Sequence, residues 1–544
     1  MSPDKRYDCI IIGGGHNGLV CAAYLARAGQ RVLVLERLGG TGGAAVTDEI
    51  APGYRVSTAS YLVSLLLPQV ERELELARHG YRVLGRNPSS FTPLPDGRHL
   101  LLGPDHAFNH EQIARFSRRD AEAYPRYEAW LTRVAECIEP LLEEPPADLL
   151  PLPADWRRRS LWQRLRELRR GNGLYRALRG MGAELPQSVE LVVGAARPIL
   201  DRWFESEALK ATLATDAVIG THAPISAPGT GYVLLHHVMG VAGGARGVWG
   251  YVEGGMGALS QAIARSAQSS GVEIRLNAEV AEILVEQGRA AGVRLKSGEV
   301  LRAARLASNA TARVTFEQLL PQTAPLPQPF REAVARIDYA SASMKINLAV
   351  SELPDFSCLP GKAEVGPQHR GTIHISPTLE YLERAYDDAK YGHPSRQPVL
   401  ELTIPTSVDR TLAPPGHHIV QMFVQYAPYQ LAPELGGWDA IGNDFADRCI
   451  DAATLYAPNF RASVLHRQVL TPLDLERRFG LTGGNIFQGS MALHQLFSLR
   501  PVPGWGDYRT PLPGLYLCGA AAHPGGGVSG APGRNCAREM LRDG

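Results

Sequence analysis

The stretch Tyr7–Arg37, YDCIIIGGGHNGLVCAAYLARAGQRVLVLER, leaves this chain few folds to choose from. Cys9–Ile12 is a short apolar run that ends at glycine, the pattern of a strand buried on both faces of a parallel sheet. Gly13, Gly15 and Gly18 follow at G-x-G-x-x-G spacing, with His16 and Asn17 between them. Leu19–Ala28 is rich in Ala and Leu and reads as a helix that stops at Gly29. Arg31–Leu35 reads as a second strand, closed by Glu36 and Arg37. Gly13 suits a tight turn, Gly15 lets backbone N–H groups approach a pyrophosphate, and Gly18 lets the helix pack close to the sheet. The helix N-terminus adds partial positive charge. Glu36 stands about twenty residues beyond the glycines, where a carboxylate bonds ribose hydroxyls. Strand, loop, helix, strand and acid together predict a dinucleotide-binding βαβ unit.

The next residues decide which dinucleotide. Gly39, Gly40, Gly42 and Gly43, followed by Ala44, form a second glycine cluster directly after the acid. Such a cluster lets the chain run beside a long cofactor, which suits FAD; a nicotinamide cofactor has no need of it. A third glycine-rich loop lies near the other end, in LYLCGAAAHPGGGVSGAPGRN, Leu515–Asn535. Leu515–Cys518 reads as the last parallel strand, ended by Gly519. Gly525, Gly526 and Gly527, with Val528, are expected to bring backbone to the same FAD, ahead of a short helix. Between them, Tyr251–Ala310 reads as loop, helix, strand Val272–Leu276 and a short meander, with GGMGAL as a helix-start turn. No other segment carries the full fingerprint, so no permanent NAD(P)H domain is expected.

The predicted fold is therefore α/β: a Rossmann-type FAD-binding domain assembled from residues 1–90, 245–318 and 478–544, with an α+β substrate domain from 91–244 and 319–477. The first substrate segment reads as mostly helical. The second carries three strands, Met344–Val350, Pro398–Pro405 and His418–Tyr426, whose alternation suits a sheet with one face to a ligand and one to helices.

Composition narrows the function. Over 544 residues the net charge is only +1, which argues against a nucleic-acid binder. Seven cysteines include no Cys-x-x-Cys pair, which points to reduced thiols, and the histidines lack metal-ligand spacing. No apolar run reaches the ~18 residues of a membrane span, and Met1–Arg6 is too short for a targeting segment. The expectation is a cytoplasmic protein, with peripheral attachment to the inner face of the membrane as the open alternative. That alternative rests on Trp156–Gly182, WRRRSLWQRLRELRRGNGLYRALRGMG, dense in Arg with Leu161, Leu165 and Leu168 at helical spacing beside Trp162. A solvated helix packing its leucines inward is the competing reading. The oligomeric state is not fixed by the sequence.

GGGHNGLVCAAYLARAGQRVLVLER…GGAAVTDE and LFSLRP…LPGLYLCGAAAHPGGGVSGAPGRN resemble the carotenoid and retinoid oxidoreductases, the phytoene desaturase-like FAD flavoproteins, whose fold is shared with amine oxidases. The resemblance implies FAD as cofactor and an apolar, polyene or isoprenoid-like small molecule as substrate, which is desaturated, isomerised or oxidised by hydride transfer to flavin N5. It also implies that backbone at Val280 faces the adenine. In the related amine oxidases a strand lysine holds a water against N5, which makes Lys345 a candidate catalytic residue; the competing reading is a strand-end lysine reaching solvent. His237 (or its neighbour His236) and His523 are the other catalytic candidates, each with a structural alternative as a satisfied core or loop-bracing histidine. Arg500 either braces the fold or neutralises flavin charge. Two further readings stay open: an amine-oxidase-like flavoenzyme using O2, and a flavin-stabilised interaction protein with little turnover.

Overall fold

The computed structural model describes residues 7–148, 161–242 and 245–543. The opening βαβ unit forms as strand Tyr7–Ile12, helix His16–Arg27 and strand Val32–Leu35. The helix starts three residues earlier than its Ala/Leu content suggests, because the glycine loop itself turns directly into the first helical turn. Tyr7–Ile12 lies between Val32–Leu35 and Val300–Ser308 in a parallel sheet, extended by Glu273–Arg275 on one side and Leu515–Leu517 on the other. Ile12 is in register with both Leu35 and Ser308, Ser308 with Leu517, and Leu35 with Arg275. The carboxyl ends of all five strands therefore stand level. Gly13, Glu36, Asn309 and Gly519 emerge at one edge, where open α/β sheets bind ligands.

Val300–Ser308 is shared. Its first residues pair antiparallel with Arg289–Leu295, which pairs with Val280–Glu286, so the meander is continuous with the parallel sheet. The helix His16–Arg27 packs against Met256–Ser269 and the C-terminal helix Ala531–Arg542. The apolar strands and these helices bury one continuous core, from Cys9 and Leu33 to Leu306 and Cys536.

The second sheet has seven strands, in the order Val464–Leu470, Ser343–Val350, His418–Gln425, Val399–Thr403, Thr372–Ile375, Ser90–Pro93 and His99–Leu102. Only Thr372–Ile375 and Ser90–Pro93 run parallel among these neighbours. Sequence reading found three of the seven. The hairpin Ser90–Leu102 sits in a segment expected to be mostly helical; its signal is the Pro95-Asp96-Gly97 turn between apolar residues, with Gly97 at φ +82°. On Ser343–Val350, Met344, Ile346 and Leu348 pack with Phe445 and Ile450 of the helix Trp438–Thr454. Ser343, Lys345 and Asn347 point to the opposite face.

Candidate active site

One cavity of about 930 Å³ runs from the three glycine loops to that opposite face of the second sheet. Its size suits a small-molecule site. Gly13, Gly15, His16, Asn17, Glu36, Arg37, Gly42, Gly43, Ala44, Val280, Gly527 and Val528 line it, as do Lys345 and His237. Three chain segments far apart in sequence thus share one wall. The Gly42 N–H donates to Gly14 O at 2.8 Å, and Gly15 bridges Gly42, so the second glycine cluster pairs with the first. The His16 ring bonds the backbone of Gly527, joining the first loop to the third, and burial holds its pKa to about 4.

Glu36 is buried with its carboxylate aimed by two backbone donors: Gly14 N–H at 2.7 Å and Leu38 N–H at 2.9 Å. The helix that starts at His16 has no side-chain cap and no acid in its first turn. Its first N–H groups are left to a ligand's phosphate. His16 Nε2 and Asn17 Oδ1 are buried without partners. An acid for ribose hydroxyls, bare helix N–H groups for pyrophosphate and unpartnered polar atoms along the same wall fit an FAD molecule.

Gly18, Gly519, Gly526, His523 and Arg500 do not line the cavity. A Cβ on Gly519 would stand 2.6 Å from Asn309 O, and one on Gly526 would stand 2.5 Å from Phe487 Cα. The third loop is therefore rich in glycine partly for chain-to-chain packing, and not only for cofactor approach as the sequence suggested. His523 Nε2 bonds Leu141 O at 3.0 Å, and burial holds the imidazole to about 4. That places His523 as a brace between the third loop and the helix Arg118–Leu142, away from the reacting space. Arg500 points its guanidinium at five carbonyls, including Ala520 O at 2.7 Å and Phe487 O at 2.6 Å, and braces the loop from behind.

His237 faces the cavity from the helix Thr230–Val238, but its Nδ1 donates to Val233 O at 2.8 Å and its ring stacks on Trp249. Burial holds it to about 4, so it is neutral near pH 7. Lys345 is 2% exposed. Its Nζ has no hydrogen-bond partner and lies 4.0 Å from the Tyr61 ring centroid. Burial pushes its pKa well below the ordinary lysine value. The solvent-reaching reading of this lysine is excluded by its place in the sheet.

Sequence reasoning missed four residues. Asn309 lies under Gly13, Gly15 and Gly519 together, with its Nδ2 2.6 Å from where a Gly15 Cβ would be. Its signal was its position, one residue beyond a strand of the parallel sheet. Arg86, Asp216 and Glu401 also line the cavity. Glu401 could have been noticed as an acid inside the apolar strand Val399–Thr403; Arg86 and Asp216 carry no sequence signal.

These features define a flavoprotein oxidoreductase whose residues at the carboxyl edge of a Rossmann-type sheet would hold FAD. The model of the family described as flavin containing amine oxidoreductase matches residues 18–421. The chain is 51% identical over 553 residues to pyridine nucleotide-disulfide oxidoreductase domain-containing protein 2 of Rattus norvegicus, covering 99% of this chain and 94% of that protein. It is 26% identical to a lycopene-forming phytoene desaturase of Pseudescherichia vulneris, covering 98% and 99%. A solved structure of a redesigned putrescine oxidase superposes with a TM-score of 0.61 at 15% identity, covering 99% of each chain, and shares the fold. The chain belongs to the flavin-containing amine oxidoreductase family and is an FAD-dependent oxidoreductase.

Proposed function

We propose that this enzyme desaturates or otherwise oxidises an apolar, isoprenoid-like small molecule. The observation that carries the reading is the single cavity joining the FAD loops to the second sheet, with Leu131, Leu213, Ile219, Leu234 and Phe423 among its walls. A relative named for phytoene desaturation, aligned over nearly the whole chain, supports it. Bound FAD would supply the two-electron acceptor. The chain's own part is to hold the cofactor at three loops, exclude water around the reacting carbon and align the substrate along the apolar wall. All seven cysteines are free and none lines the cavity, so thiol–disulfide exchange is not proposed. Anaerobic addition of a panel of apolar isoprenoids to the purified flavoprotein should include one that bleaches its visible flavin bands; an oxidised spectrum under every isoprenoid tried would refute the reading. Lys345 favours the second reading, amine oxidation with O2, which peroxide release on adding primary amines would select.

The helix Leu161–Gly180 supports peripheral attachment to an anionic membrane surface as part of the same function. Its Trp156–Ser160 lead lies outside the described residues. Leu161, Trp162 and Leu168 are 69%, 75% and 61% exposed. The face turned inward carries Ala177 and an ion-pair cluster instead: Arg170 pairs with Glu167 at 2.6 Å and with fully buried Glu539 at 3.4 Å. The inward-packed leucine reading is thereby overturned. No helix among the described residues is long and apolar enough to cross a membrane. Wild type should sediment with phosphatidylglycerol vesicles, and a Leu161→Ser, Trp162→Ser, Leu165→Ser, Leu168→Ser variant should not; equal sedimentation at low salt would refute attachment by this helix.

A further inference from the structure

The cavity wall formed by the second sheet is not apolar throughout. The register places His374, Glu401, Phe423 and Lys345 side by side on four adjacent strands, and all four line the cavity. Pairing within this row is incomplete. Glu401 Oε2 accepts from Tyr61 Oη at 3.2 Å, but Glu401 Oε1 has no hydrogen-bond partner. His374 Nδ1 is 3.7 Å from that oxygen and is satisfied by Thr215 Oγ1 at 3.1 Å. Lys345 Nζ and Ser343 Oγ are buried and unpartnered. Arg86 bonds Trp249 O and, at 2.9 Å, Thr372 Oγ1, and makes no ion pair among the described residues. Asp216 lies beside Thr215 and within electrostatic reach of both Glu401 and Arg86.

Buried polar atoms without partners are costly, and several facing one space need a common explanation. A substrate that is hydrocarbon throughout would leave them unpaired and desolvate them further. We propose that this row is a head-group subsite, and that the substrate carries one uncharged hydroxyl group seated between Lys345 and Glu401. Such a group both donates and accepts, as the two orphaned atoms require. A charged head gains little here: an ammonium would meet the Arg86 guanidinium with no full counter-charge from the raised acids Asp216 and Glu401, and a carboxylate beside Lys345 would meet an amine that burial pushes towards neutral. Burial supports the same assignment: it raises Asp216 to about 8 and Glu401 to about 7, with the neighbouring carboxylate adding to the Asp216 shift, and pushes Lys345 down, so the row holds little net charge of its own near neutrality.

This rests on the cavity being the substrate site of the proposed function, and it deepens that reading by naming the polar end of the substrate. The test uses the flavin-loaded protein and follows flavin absorbance on anaerobic titration with two matched ten-carbon series. The isoprenoid series is geraniol, geranylamine, geranic acid and the parent hydrocarbon; the straight-chain series is decanol, decylamine, decanoic acid and decane. The alcohols should bind at least about tenfold more tightly than their hydrocarbons and their charged analogues, the gain from one or two net hydrogen bonds. In Glu401→Gln and Lys345→Met the preference for alcohol over hydrocarbon should fall to about twofold or less, and in Lys345→Met the hydrocarbon should bind at least as tightly as in wild type. Equal binding of alcohol and hydrocarbon in wild type, or tightest binding of an amine or acid, overturns the subsite without reference to any variant. Head preference shown equally by both tails keeps the subsite and refutes the isoprenoid reading instead. Binding of no probe overturns both.

Discussion

Replacing Arg500 by methionine separates the two roles that the sequence left open for it. The side chain is 2% exposed and makes no ion pair among the described residues; its partners are the carbonyls of Phe487, Gly489, Ser490, Gln495 and Ala520. Methionine fills a similar volume and leaves at least three closely bonded oxygens, on Phe487, Ser490 and Ala520, buried without donors. Each such loss costs about 1–3 kcal/mol. Removing the guanidinium also ends its own desolvation, worth several kcal/mol in the opposite direction. With three carbonyls near the middle of the range, about 6 kcal/mol is lost and roughly half is regained, a net of about 3 kcal/mol. Phe487 and Ala520 line the cavity, so the loss falls on the third glycine loop. FAD affinity should drop by roughly 100-fold, since 1.4 kcal/mol is tenfold. Isothermal titration of the deflavinated protein with FAD measures this, with urea unfolding of the apo protein alongside. Arg500→Lys should recover little, because one ammonium cannot span carbonyls on opposite sides of the planar fork. If Arg500→Met binds FAD as wild type does and unfolds at the same urea concentration, the bracing argument is wrong. If Arg500→Lys restores binding fully, charge rather than geometry matters.

Three further outcomes are expected. Glu36→Ala removes the acceptor of the Gly14 and Leu38 N–H groups along with the ribose contact, and FAD affinity should fall by roughly 100-fold, with Glu36→Gln intermediate; unchanged titration isotherms would remove Glu36 from the site. Stability of the flavin-loaded protein should rise with pH from about 4 to 6.5. His16, His236, His237, His374 and His523 are lowered by burial to about 4, 3, 4, 3 and 4, so the unfolded chain binds more protons below 6.5 and stability rises with pH there. Asp216 and Glu401 are raised to about 8 and 7, so the stability they contribute is lost as pH rises towards 8, while buried Lys345, pushed down, works in the opposite direction over the same range; relative to wild type, Asp216→Asn should lose less or gain more stability between about pH 5 and 8 in urea unfolding, and an identical pH profile would contradict the assignment to Asp216. Gly526→Ala places a Cβ 2.5 Å from Phe487 Cα, an overpacking cost of about 1–3 kcal/mol, whereas Gly171→Ala, with nothing within 4 Å, should be neutral or slightly stabilising; equal urea midpoints for the two variants would show that the loop yields freely.

The sequence by itself determined the cofactor half of this protein. Glycine spacing, an apolar run of strand length and an acid at the strand end are local patterns, and each forces a local conformation whatever the rest of the chain does. Gly13, Gly15, Glu36, Gly42 and Gly527 were legible for that reason and line the cavity. The tertiary structure decided the rest. It placed Gly519 and Gly526 hard against Asn309 and Phe487, set His523 and Arg500 on backbone carbonyls behind the third loop, and put Asn309 beneath the glycine loops. Contacts of this kind depend on which segments meet, and nothing within a ten-residue window encodes the meeting. The same holds for the polar row. His374, Glu401 and Lys345 become neighbours only because three strands pair in one register, across a fourth that carries Phe423. Arg86 and Asp216 reach that row from the first half of the chain. The leucine stripe of Leu161–Gly180 was readable as amphipathic, but which face turns outward depends on the partner surface, and here that surface is the buried carboxylate of Glu539. Local patterns fix local geometry; the chemistry of the cavity is set by side chains that only long-range pairing brings together.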